Sequence, residues 1–223
     1  TLTEFRKGIR TSGPYTVIEN NTLIGNNDSY PYPQGVYDTQ YRNKYIGNNI
    51  SNLSEAVWLY GNHNYFENNR IVNNTYGYLM MWFQSNHTHN NDTIMNNTVG
   101  AYINGSSSTM VIYDIIFRDS KFSENTLDLH IKAGGSNITF INSSVNKSKL
   151  VVFYGGTAYL RWYVQVNVTN SSGTPLANAT IEAYNSIGEL EDNSTTDSDG
   201  IGKLIVSELY RNNDVNYIIT PSR

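Results

Sequence analysis

The 223-residue chain contains no cysteine, which excludes a disulfide framework, Cys–zinc and iron–sulfur sites, and thiol catalysis. Charge is scarce too, with 15 Lys+Arg against 19 Asp+Glu, or 15 % of residues in all. The net charge of −4 leaves no broad basic surface, so nucleic acid is not an expected partner. Apolar runs are short. The longest lie around Leu79–Phe83 and Leu150–Tyr154, far below the ~20 residues of a membrane span. No 3.6-residue apolar stripe of useful length is present, and helices are expected to be nearly absent. The chain opens at Thr1 with no Met and no basic-then-apolar leader, so it reads as a mature form or an excerpt. Its 39 % hydrophobic and 13 % aromatic content is enough to build a core at this length.

What the chain has in excess is asparagine: 32 Asn, beside 21 Ser and 20 Thr. Random placement would give about 6 N-x-S/T sequons from these counts. There are 16, at Asn20, Asn27, Asn49, Asn52, Asn73, Asn86, Asn91, Asn96, Asn104, Asn137, Asn142, Asn146, Asn167, Asn170, Asn178 and Asn193. The excess points to N-glycosylation and hence to an exported chain. The competing explanation is that polar turns draw on Asn, Ser and Thr together. Outward sites such as Asn167, Asn170 and Asn193 are expected to be occupied, and ladder positions such as Asn91 and Asn142 to be shielded. Dense sequons without cysteine fit an extracellular, archaeal-type cell-surface protein.

The asparagines follow a rhythm. Residues 20–27 (NNTLIGNN), 47–52 (GNNISN), 67–74 (ENNRIVNN), 90–97 (NNDTIMNN), 118–125 (RDSKFSEN) and 141–148 (INSSVNKS) align, with anchors at Ile46, Phe66, His89, Phe117 and Phe140. A β-rich stretch follows nearly every block, as in 57–60 (VWLY), 78–82 (YLMMW), 101–104 (AYIN), 128–132 (DLHIK) and 151–154 (VVFY). One such repeat cannot bury its own apolar face, but stacked repeats can. Alternation would turn Leu127, Leu129 and Ile131 inward and leave Asp128, His130 and Lys132 outside. Repeated Asn at one turn suits amides that bond from coil to coil. This pattern resembles the right-handed parallel β-helix repeats of the pectate-lyase-like superfamily, over about six coils from Tyr15 to Tyr159. An antiparallel solenoid or a sandwich is the alternative architecture.

Near Tyr159 the rhythm changes. Alternating Val164, Val166 and Val168, the turn 170–175 (NSSGTP), the stretch 179–184 (ATIEAY), the hairpin signal 196–200 (TDSDG) and alternating apolar residues from Ile201 follow in order. This order resembles carboxypeptidase-regulatory-like domains, which are small transthyretin-like β-sandwiches. The reading is therefore all-β: a parallel β-helix over 1–159, then a small Ig/transthyretin-like β-sandwich over 160–223, incomplete as it stands. The resemblance implies one or two strands beyond the one around Tyr217. An unpaired edge left there would be a site for strand addition from a neighbour.

Sites of chemistry are thin. β-helix enzymes act on polysaccharides through carboxylate clusters, which makes Asp114, Arg118, Asp119, Asp128, His130 and Lys132 the local catalytic candidates. Asp128, His130 and Lys132 would share one outward strand face. No second carboxylate lines up with them, and the plainer reading is a solvated strand face. His63, His87 and His89 could be taken for metal ligands, but His87 and His89 are expected to sit solvated in an Asn-rich turn. Asp197 and Asp199 echo the opening of a calcium loop yet lack its spaced ligands, and they read as hairpin punctuation. No cofactor is implied, and no phosphate-binding glycine loop is present. Eighteen Tyr with Trp58, Trp82 and Trp162 are many for this size. Trp58 and Trp82 could form a ladder on one face that packs or binds sugar.

The expected function is non-enzymatic: a structural glycoprotein, subunit or segment of an archaeal surface layer, sheath or filament. Its expected partners are identical subunits and N-linked glycans. The alternatives are a carbohydrate-binding or adhesive surface protein and a polysaccharide lyase, hydrolase or epimerase.

Overall fold

The computed structural model describes residues 1–3, 7–26, 32–81, 84–105, 111–212 and 216–218. Asn27 and Trp82, both singled out above, lie outside the described residues. Short strands wind into three parallel sheets. The first holds Leu2–Thr3, Thr22–Ile24, Asn49–Ser51, Arg70–Val72, Thr93–Met95 and Lys121–Ser123. The second holds Lys7–Thr11, Gln34–Asp38, Glu55–Leu59, Tyr76–Met81, Val99–Asn104, Leu127–Lys132 and Leu150–Phe153. The third runs from Val17–Glu19 through Lys44–Ile46, Tyr65–Glu67, Gln84–Asn90, Ile112–Arg118 and Asn137–Ile141 to Thr157–Asn167. Among the described residues the one helical element is a single turn at Lys147–Lys149. The result is a parallel β-solenoid of about six coils, and the antiparallel alternative is excluded by the parallel pairing of every solenoid strand.

Each corner is built from a two-residue device. An exposed residue takes a left-handed backbone, and the next residue turns its side chain inward to bond the coil above. At the corner from third to first sheet, the left-handed residues are Asn20, Gly47, Asn68, Asn91, Asp119 and Asn142, with φ between 48° and 61°. Behind them runs a ladder: the backbone N–H of Asn21 donates to Asn48 Oδ1, Asn48 to Asn69, Asn69 to Asp92, Asp92 to Ser120 and Ser120 to Ser143, at 2.7–3.2 Å. These contacts span 27, 21, 23, 28 and 23 residues, which are the coil lengths. The corner from first to second sheet repeats the device with Asn52, Asn73, Asn96 and Glu124 outside and Leu53, Asn74, Asn97 and Asn125 inside. Asn suits both slots because its side chain tolerates the left-handed region and supplies an acceptor and a donor. The buried backbone polar groups at each turn are thereby satisfied.

The core lies between the sheets. On the third sheet, Tyr45, Phe66, His89, Phe117 and Phe140 stack in register with ring centroids 4.3–5.4 Å apart, close to the strand spacing itself. Tyr45, rather than the expected Ile46, is therefore the inward residue of its coil. Leu23, Ile50, Ile71, Ile94 and Phe122 face them from the first sheet. His87 and His89 are fully buried in the strand Gln84–Asn90, which corrects the expectation of a solvated turn. The alternation of the strand holds both side chains inward.

Strand Thr157–Asn167 carries the chain out of the solenoid. Its first half pairs in parallel with Asn137–Ile141, and its whole length pairs antiparallel with Ile201–Asn212, which in turn pairs with Asn216–Ile218. The expected boundary at 159/160 thus falls inside one continuous strand. A two-stranded sheet, Thr180–Tyr184 with Leu190–Thr195, packs over this extension, with Ile181 seated against Gly202. The outer edge at Ile205 and Ser207 is covered by the chain's own carboxylates: Asp192 Oδ2 accepts from Ile205 N at 2.7 Å, and Glu191 Oε2 from Ser207 N at 3.0 Å. The edge expected to be open is a different one, beyond the strand Asn216–Ile218 that ends this sheet.

Candidate functional site

The outer face of the second sheet carries rows of mostly half-buried side chains, with Gln34, Leu79 and Val99 buried among them. Its middle row, in register from coil to coil, is Arg10, Tyr37, Trp58, Leu79, Tyr102, His130 and Val151. Beside it run Lys7, Gln34, Glu55, Tyr76, Val99 and Leu127. Trp58 meets Tyr37 edge-on at 5.3 Å, Tyr102 stacks on Tyr76 at 5.3 Å, and His130 stacks on Tyr102 at 4.9 Å. Lys7 and Arg10 lie over the Tyr37 ring at 5.0 and 5.5 Å.

Between the aromatic groups opens a groove of about 500 Å³ whose lining includes Lys7, Gln34, Glu55, Trp58, Tyr76 and Tyr102. Gln34 Nε2 donates to Glu55 Oε2 at 2.7 Å. Burial pushes the Glu55 carboxyl above its ordinary range, and the Gln34 hydrogen bond only partly offsets this. Burial likewise raises the Tyr102 phenol, helped by Tyr76. The His130 imidazole is lowered by burial and then by Lys132. Among the described residues the buried Gln34 Oε1, Trp58 Nε1 and His130 Nε2 have no hydrogen-bond partner. Among the described residues, Glu55 is the one carboxylate lining the groove.

The proposed catalytic face is differently arranged. His130 and Lys132 do point outward, next to Tyr102 and Asn104 on one side and Val151 and Phe153 on the other. Asp128 does not join them. It is 1 % exposed, accepting from Asn125 Nδ2 at 3.0 Å and from Asn146 N at 2.7 Å. The reason is an irregularity near the start of five successive strands of this sheet, from Gln34–Asp38 to Leu127–Lys132. The pairing passes over Gly35, Ala56, Gly77, Gly100 and Asp128, so that these and the following residue both face inward. Leu127, expected inside, is displaced to the outer face by the same shift. The slot demands small residues where another coil follows, since a Cβ at Gly77 would stand 2.4 Å from the Gly100 carbonyl oxygen. Asp128 occupies the slot in Leu127–Lys132, whose pairing with the following strand Leu150–Phe153 begins only at Leu129.

Asp114 and Asp119 take left-handed corner positions, and both are exposed. Arg118 donates from NH1 to the Tyr163 hydroxyl at 2.6 Å. Trp58 stands in register with Leu79, within a mixed aromatic row that spacing along one strand did not reveal, and the Trp82 half of the expected ladder lies outside the described residues. Asp197 Oδ1 accepts from Asp199 N at 2.9 Å and Ile201 N at 3.0 Å and so closes its own turn. Among the described residues no group of three or more His, Asp or Glu could hold a metal ion. His63 is an exposed left-handed corner residue.

Eight sequon asparagines, Asn20, Asn52, Asn73, Asn86, Asn91, Asn96, Asn142 and Asn178, have φ between 48° and 59°. Asn91 and Asn142 are exposed, not shielded: the inward ladder residue is the one after each, Asp92 and Ser143. Their own amides bond coil to coil on the outside, to Asn68 and Asp119.

A family model described as a right handed beta helix region matches residues 7–181. The chain belongs to that family. No curated protein and no solved structure matches it. Within this β-helix family the fold occurs in surface proteins and in polysaccharide-active enzymes, so the fold leaves the activity to be argued from the site. No helix among the described residues is long and apolar enough to cross a membrane.

Proposed function

We propose that this β-helix protein is a non-enzymatic, extracellular surface protein that binds an extended carbohydrate chain along the outer face of its second sheet. The observation that carries the reading is the row Tyr37–Trp58–Leu79–Tyr102–His130 bordering the 500 Å³ groove. Flat rings at strand spacing give sugar rings apolar faces to stack on. Gln34, Glu55 and Trp58 border the groove with polar side chains, and among the described residues the buried Gln34 Oε1 and Trp58 Nε1 have no partner. Among the described residues the raised Glu55 carboxyl has no second acid beside it in the groove, which favours binding over paired-acid hydrolysis. Glycan-array screening followed by titration calorimetry tests this. Trp58→Ala and Tyr102→Ala should each weaken binding about tenfold or more. Polysaccharide binding untouched by both changes, or no binding to any glycan, would remove the reading.

A second reading keeps the protein as a glycosylated subunit of an archaeal surface layer, sheath or filament. It is favoured by the first coil, whose strands Leu2–Thr3, Lys7–Thr11 and Val17–Glu19 each end a sheet. Tyr15 and Val17 are 62 % and 52 % exposed there. An edge left open there would recruit strands. On this reading the segment 160–223, whose described strands pair antiparallel after the solenoid, is the carboxypeptidase-regulatory-like module. Electron microscopy of native material decides it: a filament or lattice supports it, and isolated rods oppose it.

A further inference from the structure

A second groove, of about 680 Å³, lies at the other end of the molecule, where the extension folds over the third sheet. Its floor is the outer face of two paired strands: Tyr159 against Tyr210 and Arg161 against Ser207. Its wall is the turn and strand that begin the Leu190–Thr195 sheet, carrying Ile187, Leu190 and Glu191. The second-sheet reading above does not involve any of these residues.

Three features here ask for a ligand. The Arg161 guanidinium lies over the Tyr159 ring at 5.4 Å, yet its Nε is buried without a hydrogen-bond partner and it forms no ion pair among the described residues. Such an unmatched donor carries a real cost. The Tyr159 and Tyr210 rings are in contact, with centroids 5.0 Å apart at 48°, and both line the groove. Ile187 and Leu190 are 78 % and 49 % exposed, which is unusual for aliphatic side chains bordering a groove unless something covers them. Carboxylates complete the set. Glu191 accepts from Ser207 N through one oxygen, and Glu189, at the same rim, accepts from Asn185 Nδ2.

The geometry points to a binding site for a zwitterionic ligand with a flat apolar body, of the class of a free aromatic amino acid. Arg161 takes the ligand carboxylate in a charge-assisted hydrogen bond. Glu189 and Glu191 face its ammonium group, and its ring enters between the tyrosines and the Ile187–Leu190 lip. The volume falls in the ordinary range for small-molecule sites.

The test is calorimetric or NMR titration of the full chain with L-phenylalanine, 3-phenylpropanoate and phenethylamine. Saturable phenylalanine binding is expected, with each singly charged analogue at least tenfold weaker. Arg161→Gln should weaken phenylalanine at least tenfold. Ile187→Asp, at an exposed turn where folding is not at stake, should do the same. Absence of saturable binding at millimolar phenylalanine would overturn the proposal. So would equal affinity for 3-phenylpropanoate, or affinity unchanged in the Ile187→Asp protein. Because none of these residues touches the second-sheet groove, failure here leaves the carbohydrate reading standing, and the reverse also holds.

Discussion

Two aromatic columns run along this rod, one inside and one outside, and both repeat at the strand spacing. Inside, Tyr45, Phe66, His89, Phe117 and Phe140 are near-parallel, with interplanar angles of 7–21°. Outside, Tyr37, Trp58, Tyr102 and His130 mix edge-on and stacked contacts, and Leu79 interrupts them. Nothing in the sequence period distinguishes the two. What separates them is which sheet face they occupy, and hence whether neighbours fill the space between rings. The inner column is closed by the first-sheet row and is committed to holding the coils together. The outer column leaves a groove and is free to bind.

The comparison is tested most strongly by removing one ring from each column. Phe117→Ala empties a buried site touching His89, Phe122 and Phe140, and should cost about 3–5 kcal/mol, read as a fall in denaturant midpoint. Trp58→Ala, on the half-buried outer row, should cost about 1 kcal/mol or less while weakening sugar binding. Equal destabilisation by both would mean the outer row is core. Next in size is Asp92→Ala. Asp92 accepts from Tyr78 OH at 2.8 Å and from Asn69 N and Nδ2 at 2.7 and 3.1 Å, all buried. Stranding those donors should cost about 3 kcal/mol in the same assay.

The inner column and its neighbours also predict an acid sensitivity. Burial, then the neighbouring His89, lowers the His87 imidazole to about 3, and burial lowers His89 although Asp92 at 3.4 Å partly offsets it. The unfolded chain takes up these protons near pH 6.5, whereas the folded chain resists them until far lower. The unfolded state therefore binds more protons in that window, and stability falls as pH drops from about 6.5 toward 3. His87 Nδ1 accepts from Asn64 N in the slot that Asn64 fills for Asn43 one coil earlier. His87→Asn should thus preserve the ladder and flatten the pH dependence between pH 7 and 4.5. An unchanged slope would show that the carboxylates dominate instead.

Much of this was legible in the sequence because the corner device is written in two adjacent letters. The pairs Asn68–Asn69, Asn73–Asn74 and Asn96–Asn97 each spell a left-handed residue followed by a ladder residue, and they set coil length and parallel winding. The inside–outside assignment failed where strand periodicity was broken. The passed-over residues Gly77, Gly100 and Asp128 shift the phase by one, so simple alternation put Asp128 outside and Leu127 inside. The His87 and His89 burial was hidden by their polar neighbours, since a strand of serine, threonine and asparagine does not look like core until its register is known. The groove itself depends on lateral neighbours 21 to 28 residues apart, which no local pattern encodes.

The smallest effect expected is the most informative about glycosylation. The left-handed corner slot needs only a residue that tolerates positive φ, and Gly47 already fills it in one coil at 61°. Asn73→Gly, Asn91→Gly and Asn96→Gly should therefore shift stability by less than about 1 kcal/mol, while Asn97→Ala, which removes the acceptor for Asn74 N, should cost about 1–3 kcal/mol. Chemical denaturation of the four variants checks the division, and comparable losses at both kinds of site would refute it. If the division holds, the corner conformation by itself explains why asparagine recurs at eight of the sixteen sequons. The other 24 asparagines carry eight sequons, against about 4 that composition alone provides. Part of the sequon excess then follows from coil geometry, and occupancy at sites outside the corner slots, such as Asn104, Asn167 and Asn193, is what would speak for export.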